Sequence, residues 1–260
     1  MLNFNFVKPA SVADAVKALA AVGAQALSGG QTLTPVLKQR LASPAVLVSL
    51  TGIAALQGVS VAGGVMTIGA ATTHAMVSAA AAAYPALAAL AGGIGDPAVR
   101  NRGTIGGSLA NNDPAACYPA AVLASGATLV TNKREIAADA FFQGLFTTAL
   151  EDGEIITAVR FPIPERAAYQ KFNQPASRFA LTGAFVAKFA GGVRVAVTGA
   201  SESGVFRWSA AEAALSASFA AAALAAVNLP APGLIGDLHG TPAYRAALAK
   251  VMVQRAVAAA

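Results

Sequence analysis

Two short segments, each built on a pair of glycines flanked by small polar residues, constrain this chain more than anything else in it. The first is Ser28-Gly-Gly-Gln-Thr-Leu-Thr-Pro35 and the second is Arg102-Gly-Thr-Ile-Gly-Gly-Ser-Leu-Ala-Asn-Asn-Asp-Pro114. Paired glycines permit positive φ and let backbone N–H groups come close to an anion. Gln31 and Thr32 add side-chain donors to the first loop; Thr104 and Ser108 do so in the second, with Asn111, Asn112 and Asp113 just beyond. The first loop lies between an apolar strand and a helical turn, whose N-terminus favours negative charge. One such loop alone is most simply a tight turn or a close strand–helix approach. Two, separated by enough chain for a second α/β unit, can grip both ends of a pyrophosphate.

The rest of the pattern supplies the frame for these loops. Asn3–Val7 reads as a strand. Ser11 opens a helix with Asp14 three residues on, as in a capping box, and Val12, Val16 and Leu19 give helical spacing. Gln25–Ser28 and Val46–Leu50 read as strands, and Thr32–Leu41 as one or two helical turns with Pro35 in the first. Val59–Val61 and Val65–Ala70 form a hairpin across Gly63-Gly64. Thr73–Ala82 and Pro85–Ala91 are helical, Gly92 to Asp113 is a glycine-rich polar segment, and Pro119–Ser125 is a helix followed by strands Ala127–Thr131 and Ile155–Phe161. Phe161-Pro-Ile-Pro164 punctuates the chain. Beyond it Tyr169–Phe172, Ala184–Phe189 and Val193–Thr198 read as strands and Ala210–Ala226 and Thr241–Ala259 as helices. That change of order, from mixed α/β to strands and then helices, points to a separate α+β unit.

Composition removes several function classes. Only 12% of the 260 residues are charged and much of the 56% apolar content is alanine, but the most apolar stretches, Ala79–Ala91 and Ala210–Leu229, are short or interrupted by Pro85 and Glu212. No integral membrane segment is therefore expected. The N-terminus has no basic region followed by an apolar run, so no signal peptide is expected. One cysteine, Cys117, leaves no intrachain disulfide and fits a reducing compartment. Net charge is +6, but the Lys and Arg residues are scattered without aromatic interleaving, which speaks against nucleic acid as a partner. Gly93-Ile-Gly-Asp-Pro-Ala98 imitates a dinucleotide fingerprint, yet it follows a helix and carries Pro97 in the turn. His74 and His239, with a single cysteine, make no metal set. Glu151, Asp152 and Glu154 around Gly153 read as a solvated turn, Arg100 and Arg102 as phosphate, partner or salt-bridge contacts, and Trp208 as core.

The paired loops resemble the FAD-binding signature of the medium subunit of molybdenum hydroxylases of the carbon monoxide dehydrogenase and xanthine dehydrogenase families. The likeness extends to Gly95-Asp-Pro-Ala-Val-Arg-Asn-Arg-Gly-Thr104, Ile68-Gly-Ala-Ala-Thr-Thr-His74, Phe146-Thr-Thr-Ala-Leu-Glu-Asp-Gly-Glu-Ile155, the lysine of Tyr169-Gln-Lys171, and Asp237 to Arg245. It implies an α+β fold, with a two-part FAD-binding domain of the vanillyl-alcohol-oxidase/PCMH type (residues 1–53 and 54–166). A small α+β C-terminal domain, 167–260, follows, with a three-stranded antiparallel sheet and helices. It further implies that Leu27, Ser28, Gly29, Gly30, Gln31, Thr32 and Leu33 hold the pyrophosphate and nearby ribose, and that Thr104, Gly106, Gly107 and Ser108 hold it from the other side. Asp113, with Asn112 as an alternative, contacts the polar middle of the cofactor. Ile94 and Ile156 supply apolar surface, and Lys171 approaches the flavin ring, where positive charge favours the anionic reduced form.

Two positions depart from the family pattern. Gln31 stands where many members have His; since more distant flavoproteins of this fold attach FAD through His or Cys, Gln31 points to non-covalent binding. Cys117 stands where members often have Asp, which removes an acceptor for the ribityl chain; either the flavin is held more weakly or that duty passes to Asp113 or Asn112. No residue constellation in the chain can carry bond-making on a substrate or hold a metal, so neither a catalytic residue nor a metal is expected; the other cofactors are expected on partners. The resemblance implies a molybdenum cofactor on a large subunit and [2Fe-2S] clusters on a small one, in a dimer of heterotrimers. The expected place is the cytoplasm, with a peripheral position at the inner face of the membrane left open. A self-sufficient flavoprotein oxidase or reductase, or an assembly subunit with an empty FAD site, are the rival readings.

Overall fold

A computed structural model describes residues 1–260. A three-stranded parallel sheet opens the fold, from β1 (Asn5–Val7), β2 (Ala24–Leu27) and β3 (Val46–Ser49) in the order β1-β3-β2. Its crossovers carry α1 (Val12–Leu19) and α2 (Leu33–Lys38). Ser11 caps α1 by accepting from the N–H of Asp14, as the capping pattern predicts. Ala15 of α1, Val48 of β3 and Leu50 just beyond it close a small core under this sheet.

The second sheet has five strands in the order β4-β5-β10-β6-β7. They are β4 (Val59–Ala62), β5 (Val65–Gly69), β6 (Thr128–Thr131), β7 (Glu135–Ala137) and, after a small hairpin of β8 (Phe142–Gly144) and β9 (Thr147–Thr148), β10 (Ile156–Pro162). Helices α3 (His74–Ala80), α4 (Pro85–Gly92), α5 (Pro97–Arg100), α6 (Ile105–Asn111), α7 (Tyr118–Ser125) and α8 (Ala138–Phe141) are threaded between these strands. The expected polar stretch from Gly92 to Asp113 thus contains two helices. Ile105 and Leu109, four apart and both fully buried, give α6 an inward stripe that outweighs its two glycines. Asn112 then ends it in the left-handed conformation, φ 44°.

The third sheet is antiparallel, with β11 (Arg166–Asn173), β12 (Ala180–Phe189), β13 (Gly192–Thr198) and β14 (Phe206–Arg207) in sequence order. It has four strands where three were expected, because a two-residue strand carries no alternation to read. Along β12 the side chains alternate between two cores. Phe185 and Ala187 join the large core shared with α7, while Ala184 and Val186 face α9 (Ser209–Ala217) and α10 (Pro242–Ala259). Burial on both faces explains the continuous apolar run of this strand.

The single helix read over Ala210–Ala226 is two pieces. α9 stops at Ala217, Ser218 is extended, and a short 3₁₀ turn covers Ala221–Leu224. Leu215 and Leu224 are both buried in the same core. In one continuous helix, nine positions at about 100° each would place them on opposite sides. Breaking the helix lets both point inward, and Ser216 Oγ accepts the N–H of Val193 at the break.

Candidate functional site

A cleft of about 910 Å³ opens where the three-stranded sheet, the α6 segment and the end of β11 meet. Leu27, Ser28, Gly29, Gly30, Gln31, Thr32, Leu33, Ile94, Thr104, Gly106, Gly107, Ser108, Asp113, Ile156 and Lys171 all line it. Asn112 does not. Its buried amide donates to the carbonyls of Gly144 and Thr147 at 2.8 and 2.9 Å, fastening the β8–β9 hairpin. The expectation that it substitutes for an acceptor beside the cofactor is therefore corrected: its side chain is spent on the fold.

The two loops are laced together. Ser28 Oγ and Thr104 Oγ1 are 2.8 Å apart. A Cβ on Gly29 would overlap the carbonyl of Arg102 and lie 2.7 Å from Cα of Gly103, so only glycine allows this crossing. Gly30 takes φ +74°, which turns the chain into α2. No acceptor within the chain takes the N–H of Gly29, Gly30, Gln31, Thr32 or Leu33. The first loop, which lines the cleft, therefore carries a run of backbone donors with no acceptor in the chain, as an oxygen-rich anion requires.

The second loop has a different task from the symmetrical grip its sequence suggests. The N–H of Gly106 is bound to Ala70 O at 2.8 Å, and that of Gly107 to Thr104 Oγ1 at 3.2 Å. A Cβ on Gly106 would stand 2.6 Å from Ala70 Cβ, and one on Gly107 would stand 2.9 Å from Thr104 Oγ1. Gly106 lets α6 press against the end of β5, and Gly107 leaves room for the Thr104 hydroxyl that caps the helix. Their neighbour Ser108 also lines the cleft.

At the β11 end Lys171 reaches the cleft, yet its ammonium is occupied. It donates to Gly93 O and Arg178 O, both at 2.8 Å, and to Cys117 Sγ at 3.5 Å. Cys117 is buried in the wall, and Asp113 turns one carboxylate oxygen inward to accept from Ala115 N at 2.8 Å. Ile94 and Ile156 add apolar surface. His74 lines the cleft as well, fully within the fold. Burial, with the nearby Arg100 charge in second place, lowers its pKa from 6.5 to about 4, so the imidazole is neutral near pH 7. Arg100 itself donates to the carbonyls of Ile94 and Gly95, shaping the turn before α5.

Glu154 is a residue that the sequence placed wrongly. It does not lie in a solvated turn; its carboxylate is buried at the cleft edge. Arg134 meets it at 3.0 Å, Thr131 Oγ1 donates at 2.7 Å and Glu151 N at 2.9 Å. Burial alone would raise its pKa, but the bonds from Arg134, Thr131 and Glu151 outweigh it and hold the value near about 2 instead of 4.5. The adjoining Ile155 and Ile156 are thereby fixed as cleft wall. The unfolded chain binds the proton first as pH falls, so this stabilisation is complete above about pH 4.5 and lost as pH drops towards about 2. Urea unfolding of Glu154→Gln is expected to show lower stability at neutral pH and a flatter acid limb across that window. Parallel limbs for wild type and variant would remove Glu154 from the acid response.

The cleft volume falls at the upper end of the roughly 300–1,000 Å³ typical of small-molecule sites. Unpaired N–H groups lie beside its first loop and apolar side chains flank it, so a long ligand with a diphosphate centre and flat apolar ends suits it. A family model described as the FAD binding domain in molybdopterin dehydrogenase matches residues 2–164. The carbon monoxide dehydrogenase medium chain of Afipia carboxidovorans is 34% identical over 98% of this chain and 96% of its own length. The nicotine 6-hydroxylase medium subunit of Paenarthrobacter nicotinovorans is 32% identical over 97% and 95% of the two chains. Among solved structures, quinoline 2-oxidoreductase from Pseudomonas putida 86 superposes with a TM-score of 0.88 at 30% identity, covering 100% of this chain and 97% of that one. Carbon monoxide dehydrogenase from Hydrogenophaga pseudoflava gives 0.86 at 33% identity, covering 100% and 97%.

Proposed function

The chain belongs to the family of FAD-binding medium subunits of molybdenum hydroxylases, and from that premise we propose that it carries FAD non-covalently as the electron-transfer subunit of a heterotrimer. The observation that carries the cofactor assignment is the run of unpaired N–H groups from Gly29 to Leu33, held in place by the Gly29–Arg102 crossing.

Each part of the cleft then has a duty toward the cofactor. The first loop binds the diphosphate through its backbone, with Ser28, Gln31 and Thr32 adding side-chain donors beside it. Thr104 fixes the separation of the two loops, and Gly106, Gly107 and Ser108 form the opposing wall. Ile94 and Ile156 exclude water from flat apolar surface, and Asp113 is the carboxylate nearest the polar middle. Gln31, which lacks the nucleophilic ring of a histidine, leaves the attachment non-covalent. When bound, FAD accepts electron pairs and returns them singly or together. The protein's part is to hold and shield it.

The reading divides the chain at residues 1–53, 54–166 and 167–260. Relatives are named as medium chains or as subunits of complexes. The partners proposed here are therefore a small subunit with [2Fe-2S] clusters, which delivers electrons, and a large molybdenum subunit, where substrate is oxidised, assembled as a dimer of heterotrimers. No helix is long and apolar enough to cross a membrane. A visible spectrum of the purified chain, before and after FAD addition and desalting, tests the assignment. Bands near about 370 and 450 nm that are released by mild denaturation are expected. A chain that stays colourless after FAD addition would overturn it, and a tagged chain that brings down neither iron nor molybdenum would overturn the proposed assembly.

A further inference from the structure

Lys171 has three donors, and each goes to a different part of the chain. Gly93 O follows α4, Cys117 Sγ opens α7, and Arg178 O belongs to the segment joining β11 to β12. That segment, Gln174–Phe179, does not close as a plain hairpin. Ser177, Arg178 and Phe179 line the cleft, and Ser177 and Arg178 both take left-handed φ, 63° and 57°. Consecutive non-glycine residues in that region are strained and persist only where surrounding contacts enforce them. Two sets of contacts do so. On the cleft side, the Lys171 ammonium holds Arg178 O. On the outer side, the Gln174 amide lies 2.7 Å from His239 Nδ1, and Phe179 meets the same imidazole edge-on with ring centroids 6.0 Å apart.

We propose that Lys171 is a positioning residue: it pins residues 174–179 as a strap across the cleft, and with His239 on the outer side it sets how long FAD stays bound. The proposal rests on the cofactor reading above. The ammonium's three hydrogen bonds tie three separate segments together at the cleft wall, so it is placed to hold the strap shut. Release of FAD then requires the strap to lift, with the loss of the Lys171–Arg178 and Gln174–His239 contacts and relief of the strain at Ser177 and Arg178.

FAD release from the loaded chain can be followed by the rise in flavin fluorescence after dilution, in wild type and in Lys171→Met, His239→Ala and Ser177→Gly. Lys171→Met and His239→Ala are expected to release FAD faster, on the order of tenfold. Ser177→Gly is expected to release it a few-fold more slowly, because glycine takes positive φ without strain. His239 lies outside the cleft and Ser177→Gly alters no charge, so neither variant acts through the electrostatics of the flavin. Should His239→Ala and Ser177→Gly both release FAD at the wild-type rate, the proposal is overturned, even if Lys171→Met lowers the flavin midpoint potential. A wild-type chain that takes up no FAD overturns the cofactor reading and this proposal with it.

Discussion

Gly29→Ala is expected to give a folded chain that leaves a desalting column colourless, its affinity for FAD lowered on the order of ten- to a hundredfold. The argument is steric and local. The added methyl would overlap the Arg102 carbonyl and sit 2.7 Å from Gly103 Cα, and both are backbone atoms that cannot rotate away. The first loop must therefore lift from the second. That displacement breaks the 2.8 Å contact between Ser28 Oγ and Thr104 Oγ1 and scatters the N–H groups of Gly29 to Leu33. Overpacking of this kind costs roughly 1–3 kcal/mol, and the strain falls on the loop that must meet the diphosphate. Gly52→Ala is the control, because a Cβ there meets nothing within 4 Å. Flavin titration of both variants by fluorescence quenching decides the matter; a Gly29→Ala chain that binds FAD as tightly as Gly52→Ala would show that the crossing is not what shapes the site.

The second large effect is on stability. Arg245 is buried beneath the C-terminal sheet, donating to Leu181 O and Gly199 O and, through Nη2, to both carboxylate oxygens of Asp237 at 2.8 Å. Asp237 in turn accepts from the N–H groups of His239 and Gly240. Arg245→Met keeps the apolar stem and removes every one of the arginine's donors. It leaves the buried Gly199 carbonyl without a donor and takes one partner each from Leu181 O, which keeps the Thr182 hydroxyl, and from the partly exposed Asp237, a loss of about 2 kcal/mol or more. Urea unfolding should show the midpoint falling accordingly. A loss below about 1 kcal/mol would mean that water replaces the guanidinium, and that α10 is held by apolar contact alone.

What could be read from the chain in advance follows from how far each signal reaches. The loops, the Ser11 cap and the Gly63-Gly64 hairpin were legible because they depend on neighbours in sequence. Glu154 was not. Flanked by Asp152 and Gly153 it reads as solvent-exposed, and only Thr131 and Arg134, 23 and 20 positions upstream and brought near by strand pairing, turn it inward. Asn112 misled for the same reason, since its partners at Gly144 and Thr147 lie on a hairpin too short to signal itself. The glycines of the second loop matched a pattern that the first loop serves chemically. Gly106 is constrained by Ala70, just past β5 and some thirty-five residues earlier, and Gly107 by the Thr104 hydroxyl that caps its own helix. The break after Ala217 was hidden because alanine-rich sequence satisfies helix propensity throughout, and only the positions of Leu215 and Leu224 demand a change of direction.

The alternating burial of β12 has a thermodynamic consequence. Phe185 and Ala187 complete one apolar layer, and Ala184 and Val186 the other. Melting either layer strips one face of that strand and exposes residues that are wholly buried in the native chain. The flavin-side core and the C-terminal helices are thus members of one cooperative unit. Ligand binding energy gained at the cleft is shared, through β12, with helices that never touch the ligand.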